Sequence, residues 1–280
     1  GAWPTDAKLK AAREVSFDEL NSFSEALLSQ VDPVMLAHGN LTEASALNLA
    51  RQIDAIVLGN SELTEVDRSQ VRQLPDTETM VSIEVDHPDT GYTLYMQGDN
   101  TSFEERARFR LLAQIISSPF YEEIRTNRQL GYIVYATPFE MLETPALGFV
   151  VQSPSATRAE IDHAVQEFSN SFEETLSALT AERLEREKQA VISKLLEKDR
   201  QLSEISSRYW REIDRDMESF DSREQLADAV RGVSKAALLE TFRKSVLERD
   251  QSLQVVTGGD GLEASRALGR LTELPPVPAS

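Results

Sequence analysis

Metal-assisted or acid-base chemistry needs clustered histidines and carboxylates, and this chain has three histidines, His38, His87 and His163. No two lie within one helical turn of each other. The zinc spacings H-E-x-x-H and H-x-x-E-H are absent, as are G-x-S-x-G, the P-loop and G-x-G-x-x-G. His38, in LAHGN, reads as a turn histidine bonded to nearby backbone, and His87 and His163 read as solvated surface. The acidic pairs Glu104-Glu105, Glu122-Glu123 and Glu173-Glu174 could in principle be acid-base dyads. Adjacent residues do not share a helix face, however, and all three pairs fall near expected helix starts or on charged faces, where the helix dipole favours them. They too read as solvated. The chain has no cysteine, which removes disulfides, thiolate ligands and cysteine nucleophiles together. No catalytic residue and no metal ligand is expected in this chain.

The remaining polar stretch of interest is RTNRQLGYIVYATP, residues 125–138. Local physics accounts for most of it. Ser118 and Pro119 suit the N-cap and first position of a second short helix, with Glu122 and Glu123 in its first turn, Arg125 and Arg128 in its last, and Gly131 ending it in the left-handed conformation. Tyr132 then opens a strand as a half-buried residue.

The elements that would position this stretch follow from hydrophobic periodicity. MVSIEVDHP places Val81, Ile83 and Val85 on one face, YTLYMQGD does the same with Tyr92, Leu94 and Met96, and the turn-rich DHPDTG between them predicts an antiparallel hairpin. ALGFVVQSP predicts a third strand, with Leu147, Phe149 and Val151 alternating. Ser102 with Glu105 caps a helix through FEERARFRLLAQII. From Thr157 to Glu248 the pattern predicts four or five amphipathic helices, one carrying Leu184, Val191, Leu195 and Leu196 on a single face. The expected class is α+β, an antiparallel sheet covered by helices on one face. The terminal ELPPVPAS is expected to be a loose tail.

A long-range repeat organises the chain. Residues 16–53 and 234–271 share one plan: a serine cap (Ser16 with Glu19 in a capping box, and Ser234), a helix in which Phe23 answers to Phe242, a short apolar strand (VMLA or LQVV), a glycine turn (HGN or TGG) and a second helix carrying EAS at Glu43–Ser45 and Glu263–Ser265. Duplication at so long a spacing suggests two homologous domains. Residues 1–75 are therefore expected to be the closing part of one domain and residues 76–280 a following whole domain, with the polar stretch 59–78 at the boundary.

Composition narrows the partners. With 29 Lys and Arg against 47 Asp and Glu the net charge is −18, which disfavours a phosphate backbone as ligand. No uninterrupted apolar run approaches the roughly 20 residues that a membrane span needs. Neither nucleic acid nor membrane is an expected partner.

PFYEEIRTNRQLGYIVYATP, with LAHGN before it, GFVVQSP after it and SSRYWREI at residues 206–213, resembles the C-terminal half of the insulysin and pitrilysin family of zinc peptidases, the inverzincins. The likeness runs through nearly the whole chain, and R-T-x-x-Q-L-G-Y is its most specific part. The resemblance implies tandem domains of the LuxS and mitochondrial-processing-peptidase type, with this chain covering the end of the third and all of the fourth. It also implies that the zinc site, H-x-x-E-H, lies in the missing N-terminal half, so that zinc is not a cofactor of this chain itself. On the same footing, Arg125 and Tyr132 are expected to contact bound peptide: guanidinium and phenol can each donate a hydrogen bond to a peptide carbonyl and orient an extended substrate without cleaving it. The implied partners are a peptide substrate and the N-terminal half of the same polypeptide. Bacterial relatives of this type are often periplasmic, so the resemblance favours the periplasm over the cytoplasm as the compartment, which the residues themselves leave open. A scaffold or binding subunit of the same fold, without a proteolytic role, is the competing expectation, and an independent hydrolase with an unrecognised site is the third.

Overall fold

The computed structural model describes residues 5–59, 61–65, 69–258 and 274–278. In chain order its elements begin with α1 (Thr5–Glu14), α2 (Phe17–Ser29), β1 (Gln30–Val31), α3 (Glu43–Ile53), β2 (Glu62–Leu63), β3 (Glu78–Ile83), β4 (Thr90–Gln97) and α4 (Phe103–Tyr121). They continue with β5 (Ile133–Met141), β6 (Thr144–Ser153), α5 (Arg158–Ser177), α6 (Ala181–Leu195), α7 (Leu202–Asp214), α8 (Ser222–Gly232), α9 (Lys235–Phe242) and β7 (Ser252–Thr257). Wider π-helical turns extend α3, α4 and α9 over Asp54–Leu58, Glu122–Asn127 and Arg243–Leu247. Two compact units result, one of residues 1–69 with 199–218, the other of residues 70–198 with 219–280.

In the first unit the helices start where their caps dictate. Ser16 Oγ accepts from the Glu19 amide at 3.2 Å while the Glu19 carboxylate takes the Ser16 amide at 2.8 Å, closing the expected capping box. Thr42 caps α3 through the Ser45 amide at 3.2 Å. Neither helix buries a residue, and Phe17, Leu20, Phe23 and Leu27 of α2 stand exposed in a helical stripe. The expected strand at VMLA does not form: the only pairing described in this unit is parallel, Gln30 with Glu62 and Val31 with Leu63. His38 also departs from expectation, because its Nδ1 bonds to Ser206 Oγ at 2.8 Å and its ring meets Tyr209 edge-on, where a nearby backbone group was expected.

The second unit is α+β, built on a five-stranded mixed sheet in the order β3-β7-β4-β6-β5. The expected β3–β4 hairpin is not made. Strand β7 lies between the two, parallel to β3 and antiparallel to β4. Alternation told which face each strand presents but not which strand lies beside it, and the inserted strand arrives from the far end of the chain. The other antiparallel pairs hold as expected, β4 with β6 and β5 with β6. Tyr92, Leu94 and Met96 of β4 and Leu147, Phe149 and Val151 of β6 point into the core, where α4 adds Leu111, Leu112, Ile116 and Phe120, and α5 adds Ile161, Val165 and Phe168.

A polar network closes the same layer. Arg249, almost fully buried, donates through Nη1 to Glu78 at 3.0 Å and to Asp162 at 2.8 Å, and Tyr92 Oη donates to Asp162 at 2.8 Å. Burial, then the Asp162 charge, pushes the Tyr92 phenol well above its ordinary range. Residues 274–278 are not loose: Gln73 donates to the Pro275 carbonyl at 2.8 Å and Val277 to the Val71 carbonyl at 3.0 Å. The second helix of the later repeat, at 263–265, lies outside the described residues.

Candidate functional site

The stretch holding Arg125 and Tyr132 is assembled by a helix that does not stop where it was expected to. Helix α4 runs through Ser118 and Pro119 without a break, then widens into the π-helical segment Glu122–Asn127. Packing carries it past the proline: Ile116, Phe120 and Ile124 are fully buried on one face and hold the backbone helical although Pro119 has no amide to donate. Arg128 ends the segment, donating to Glu123 at 2.8 Å and to Glu167 of α5 at 2.5 Å. The Asn127 amide and then Arg128 hold the Glu123 carboxyl below its usual range, and Arg128 does the same for Glu167.

Gln129, not Gly131, takes the left-handed conformation, with φ 55°. The requirement for glycine at 131 is one of space: a Cβ there would lie 2.6 Å from the Gln152 carbonyl oxygen. That close approach docks the start of β5 on the end of β6, where the Tyr132 amide donates to the same Gln152 carbonyl at 3.1 Å.

Arg125, Gln129, Gly131, Tyr132, Pro154 and Ser155 line one concavity. Within it the Arg125 side chain is braced twice, Nε donating to Tyr121 Oη at 3.1 Å and Nη1 to the Gly131 carbonyl at 2.8 Å. Nη2 makes no hydrogen bond among the described residues. The Tyr132 ring is half exposed and its hydroxyl donates to Asp89 Oδ2 at 2.7 Å. That bond, followed by the small burial of the ring, raises the Tyr132 phenol above its ordinary value. Gln152 Nε2 reaches the same carboxylate oxygen at 3.3 Å.

Asp89 belongs to the loop between β3 and β4. The loop is fixed by His87, whose Nδ1 accepts the Asp89 amide at 3.2 Å, and by the end of β7, where Gly258 adopts φ +64° and a Cβ would fall 2.1 Å from the Asp89 carbonyl oxygen. So the end of β7 lies against the Asp89 backbone, and the Asp89 carboxylate takes the Tyr132 hydroxyl. Neither Asp89 nor Gln152 was singled out by sequence reasoning. A turn aspartate and a strand glutamine carry no local signal, and the two meet Tyr132 only through the sheet order.

The sheet face opposite the helices carries exposed apolar side chains. Ile133, Tyr135, Phe139 and Met141 alternate along β5 with the buried Val134 and Ala136, and Phe139 packs against Tyr95 of β4 with ring centroids 6.0 Å apart over the gap that Gly148 leaves.

The other candidates disperse. His87 and His163 are exposed, and His163 lies 3.5 Å from Glu167. Of the acidic pairs, Glu105 was expected to be solvated but is buried, bonding to the Asp99 amide at 3.3 Å and to Arg108; the tight turn before α4 folds back over it. Glu173 pairs with Arg243 at 2.6 Å. Among the described residues no three His, Cys, Asp or Glu side chains gather as a metal site, so the residues present do not fit a zinc ion.

The chain is similar to several proteins of known sequence or structure. The profile described as PQQ synthase PqqF-like, C-terminal lobe domain 4, matches residues 111–210, which include Arg125, Tyr132 and Gln152. Human insulin-degrading enzyme is 28% identical over 250 residues, 87% of this chain and 24% of that protein. Protease 3 of Escherichia coli K12 is 26% identical over 270 residues, 94% of this chain and 27% of that protein. The chain thus spans about a quarter of the length of these curated relatives. Among solved structures, pitrilysin superposes with a TM-score of 0.81 at 24% identity, covering 100% of this chain and 29% of that one. An inactive domain of peptidase family M16 from Pseudomonas fluorescens superposes with a TM-score of 0.61 at 16% identity, covering 89% and 58%.

Proposed function

From the premise that this chain belongs to the insulysin and pitrilysin family, we propose that it is a non-catalytic portion of a zinc endopeptidase that positions peptide for a zinc site held elsewhere in the polypeptide. In this reading residues 1–75 close the third peptidase-type domain and residues 76–280 form the fourth. The open face of the sheet is part of a chamber wall, and Arg125 and Tyr132 reach from its rim to the bound peptide.

One observation carries the reading: Arg125 and Tyr132 line the same concavity, with the guanidinium bonded to the carbonyl of the residue just before the tyrosine. Two hydrogen-bonding groups, one on the π-helical end of α4 and one just before β5, can take backbone groups of an extended chain that lies in the concavity, and holding substrate is a positional contribution to catalysis. The exposed apolar side chains of β5 suit a wall against which peptide side chains lie. The exposed stripe of α2 suits a helix whose covering belongs to the rest of its domain.

The test uses the full-length polypeptide and a quenched fluorescent peptide. Arg125→Ala and Tyr132→Phe should each lower kcat/KM by roughly 3- to 10-fold, the worth of one hydrogen bond, with unchanged thermal unfolding. Unaltered kinetics in both would overturn the positioning role. The 280-residue chain alone should not cleave the peptide.

A second reading is kept because the M16 domain from Pseudomonas fluorescens is described as inactive: a scaffold or binding subunit of the same fold with no proteolytic role. The sequence that accompanies this chain in its polypeptide separates the two. An H-x-x-E-H motif there supports the peptidase, and its absence supports the scaffold.

A further inference from the structure

The second unit begins at residue 70, directly after the first unit's residues 1–69, and its opening residues are held from two sides. On one side the Val277 amide donates to the Val71 carbonyl at 3.0 Å and the Gln73 amide donates to the Pro275 carbonyl at 2.8 Å. On the other, Gln97 Nε2 donates to the Arg72 carbonyl at 3.0 Å and the Leu74 amide donates to Gln97 Oε1 at 2.8 Å. Val71–Leu74 therefore lies extended, with residues 274–278 along one edge and a single buried amide side chain standing in for a strand along the other. Arg72 Nη1 adds a bond to the Leu274 carbonyl at 3.1 Å, and the Thr101 amide donates to the Pro278 carbonyl at 3.3 Å.

Leu-Pro-Pro-Val-Pro suits this seat residue by residue. Arg72 and Pro276 form a non-hydrogen-bonded antiparallel pair, so the Pro276 backbone points away from Val71–Leu74 and its missing N–H is not needed there. Pro275 and Pro278 serve only as carbonyl acceptors. Val277, the one residue of 275–278 that has an N–H, stands where an N–H is required. Little burial holds the segment, because Pro275, Pro276 and Pro278 are exposed and Leu274 and Val277 only half-buried. A segment kept by surface hydrogen bonds opens locally, without unfolding the core behind it.

We propose that Leu274–Pro278 is a clasp on the entry to the second unit: closed, it fixes the chain from Val71 onward, and open, it leaves residues 70–77 as a hinge ahead of β3. The two edges act together, since Gln97 alone meets only one carbonyl and one amide of the four residues. The clasp is independent of where peptide binds.

Hydrogen exchange with residue-level mass spectrometry on the full-length polypeptide tests it. Val277→Pro, which removes the one N–H, should speed exchange at Gln73 and also at Leu74 by about 10-fold or more. Trypsin should begin to cut after Arg72. Thermal unfolding and exchange within β4 should stay as they were. Val277→Ala keeps the N–H and Pro276→Ala adds one that faces away, so both should behave as the unmodified protein. Faster exchange at Gln73 alone would overturn the proposal, because Gln97 would then hold the entry without the clasp. So would no change at either residue, or Pro276→Ala loosening the entry as Val277→Pro does. Loss of β4 protection in step with Leu74 would overturn it as well, by making the segment part of the cooperative core.

Discussion

Residues 16–37 and 234–256 carry one pattern twice, and the two copies end in different states. In each, a serine caps a helix of the same extent, Phe17–Ser29 in one and Lys235–Leu247, including its π-helical turn, in the other. Phe23 is 62% exposed and Phe242 fully buried. VMLA forms no strand, whereas LQVV lies within β7, hydrogen-bonded on both sides. A helix needs only its own cap, its own residues and its own ladder of hydrogen bonds, so it forms in both settings. A strand takes its hydrogen bonds from neighbours, and an aromatic ring is buried only by what surrounds it. The second unit supplies both. Among the described residues, the first pairs only Gln30–Val31 with Glu62–Leu63 and supplies no partner strand to VMLA and no cover to Phe23.

The largest test of that difference is Phe→Ala at the two equivalent positions. Phe242→Ala should cost about 3–5 kcal/mol, through lost burial and the cavity left beside Phe172. Phe23→Ala should stay within about 0.5 kcal/mol, as an exposed substitution does. Denaturant titration followed by far-ultraviolet circular dichroism reads both. Equal costs would break the comparison. Repeating Phe23→Ala in the full-length polypeptide sharpens it: on the proposed reading that residues 1–75 close a domain begun elsewhere, the cost of that substitution there should rise to a few kcal/mol.

A smaller contrast separates the two glycine turns. Gly39 (φ +148°) and Gly258 (φ +64°) both occupy backbone space that L residues avoid, yet an added Cβ meets only the Leu41 and Leu202 side chains at Gly39, 3.5 and 3.8 Å away, and the rigid Asp89 carbonyl at Gly258. Gly39→Ala should cost about 1 kcal/mol. Gly258→Ala should exceed the upper end of the roughly 1–3 kcal/mol that backbone strain alone produces. It should also displace Asp89, which amide chemical shifts of residues 87–89 and 132 would report. Similar costs and unmoved shifts would show that β7 does not hold that loop.

Much of this architecture was legible because its causes are local. The caps at Ser16, Ser102 and Ser234 stand where the sequence places them, and the alternation of Tyr92, Leu94 and Met96 identifies the buried face of β4. What escaped depended on distant partners. Ser118-Pro119 has the signature of a helix start, but the burial of Ile116, Phe120 and Ile124 overrides it. DHPDTG has the signature of a hairpin turn, but β7 takes the place beside β3. The same holds at the site. Arg125 and Tyr132 were named because the motif around them resembles a family's, while Asp89, Gln152 and Tyr121 hold those two side chains only once the sheet and helix have brought them together.

The caps themselves offer the finest comparison. Ser16→Ala and Ser234→Ala each remove one acceptor from a helix N-terminus and should each weaken the local helix by about 1 kcal/mol, whatever the burial of the helix behind them. Their response to acid should differ. The Ser16 cap is reciprocal: backbone and side-chain hydrogen bonds from Ser16 hold the Glu19 carboxyl below its usual range. A carboxyl whose pKa is lowered in the folded state adds stability that is fully present above its unfolded value, and loses it as pH falls through the folded one. Helix α2 should therefore fray as pH drops through the acid range below 4.5, the ordinary glutamate value. The Ser234 cap has Ala237 at the equivalent position and no acidic residue in its first turn, so α9 has no such handle. Amide exchange at Glu19 and Ala237 across that range should show the first losing protection and the second unchanged. Parallel loss at both would mean that the acid response is global, and that the two caps are not the independent local devices their geometry describes.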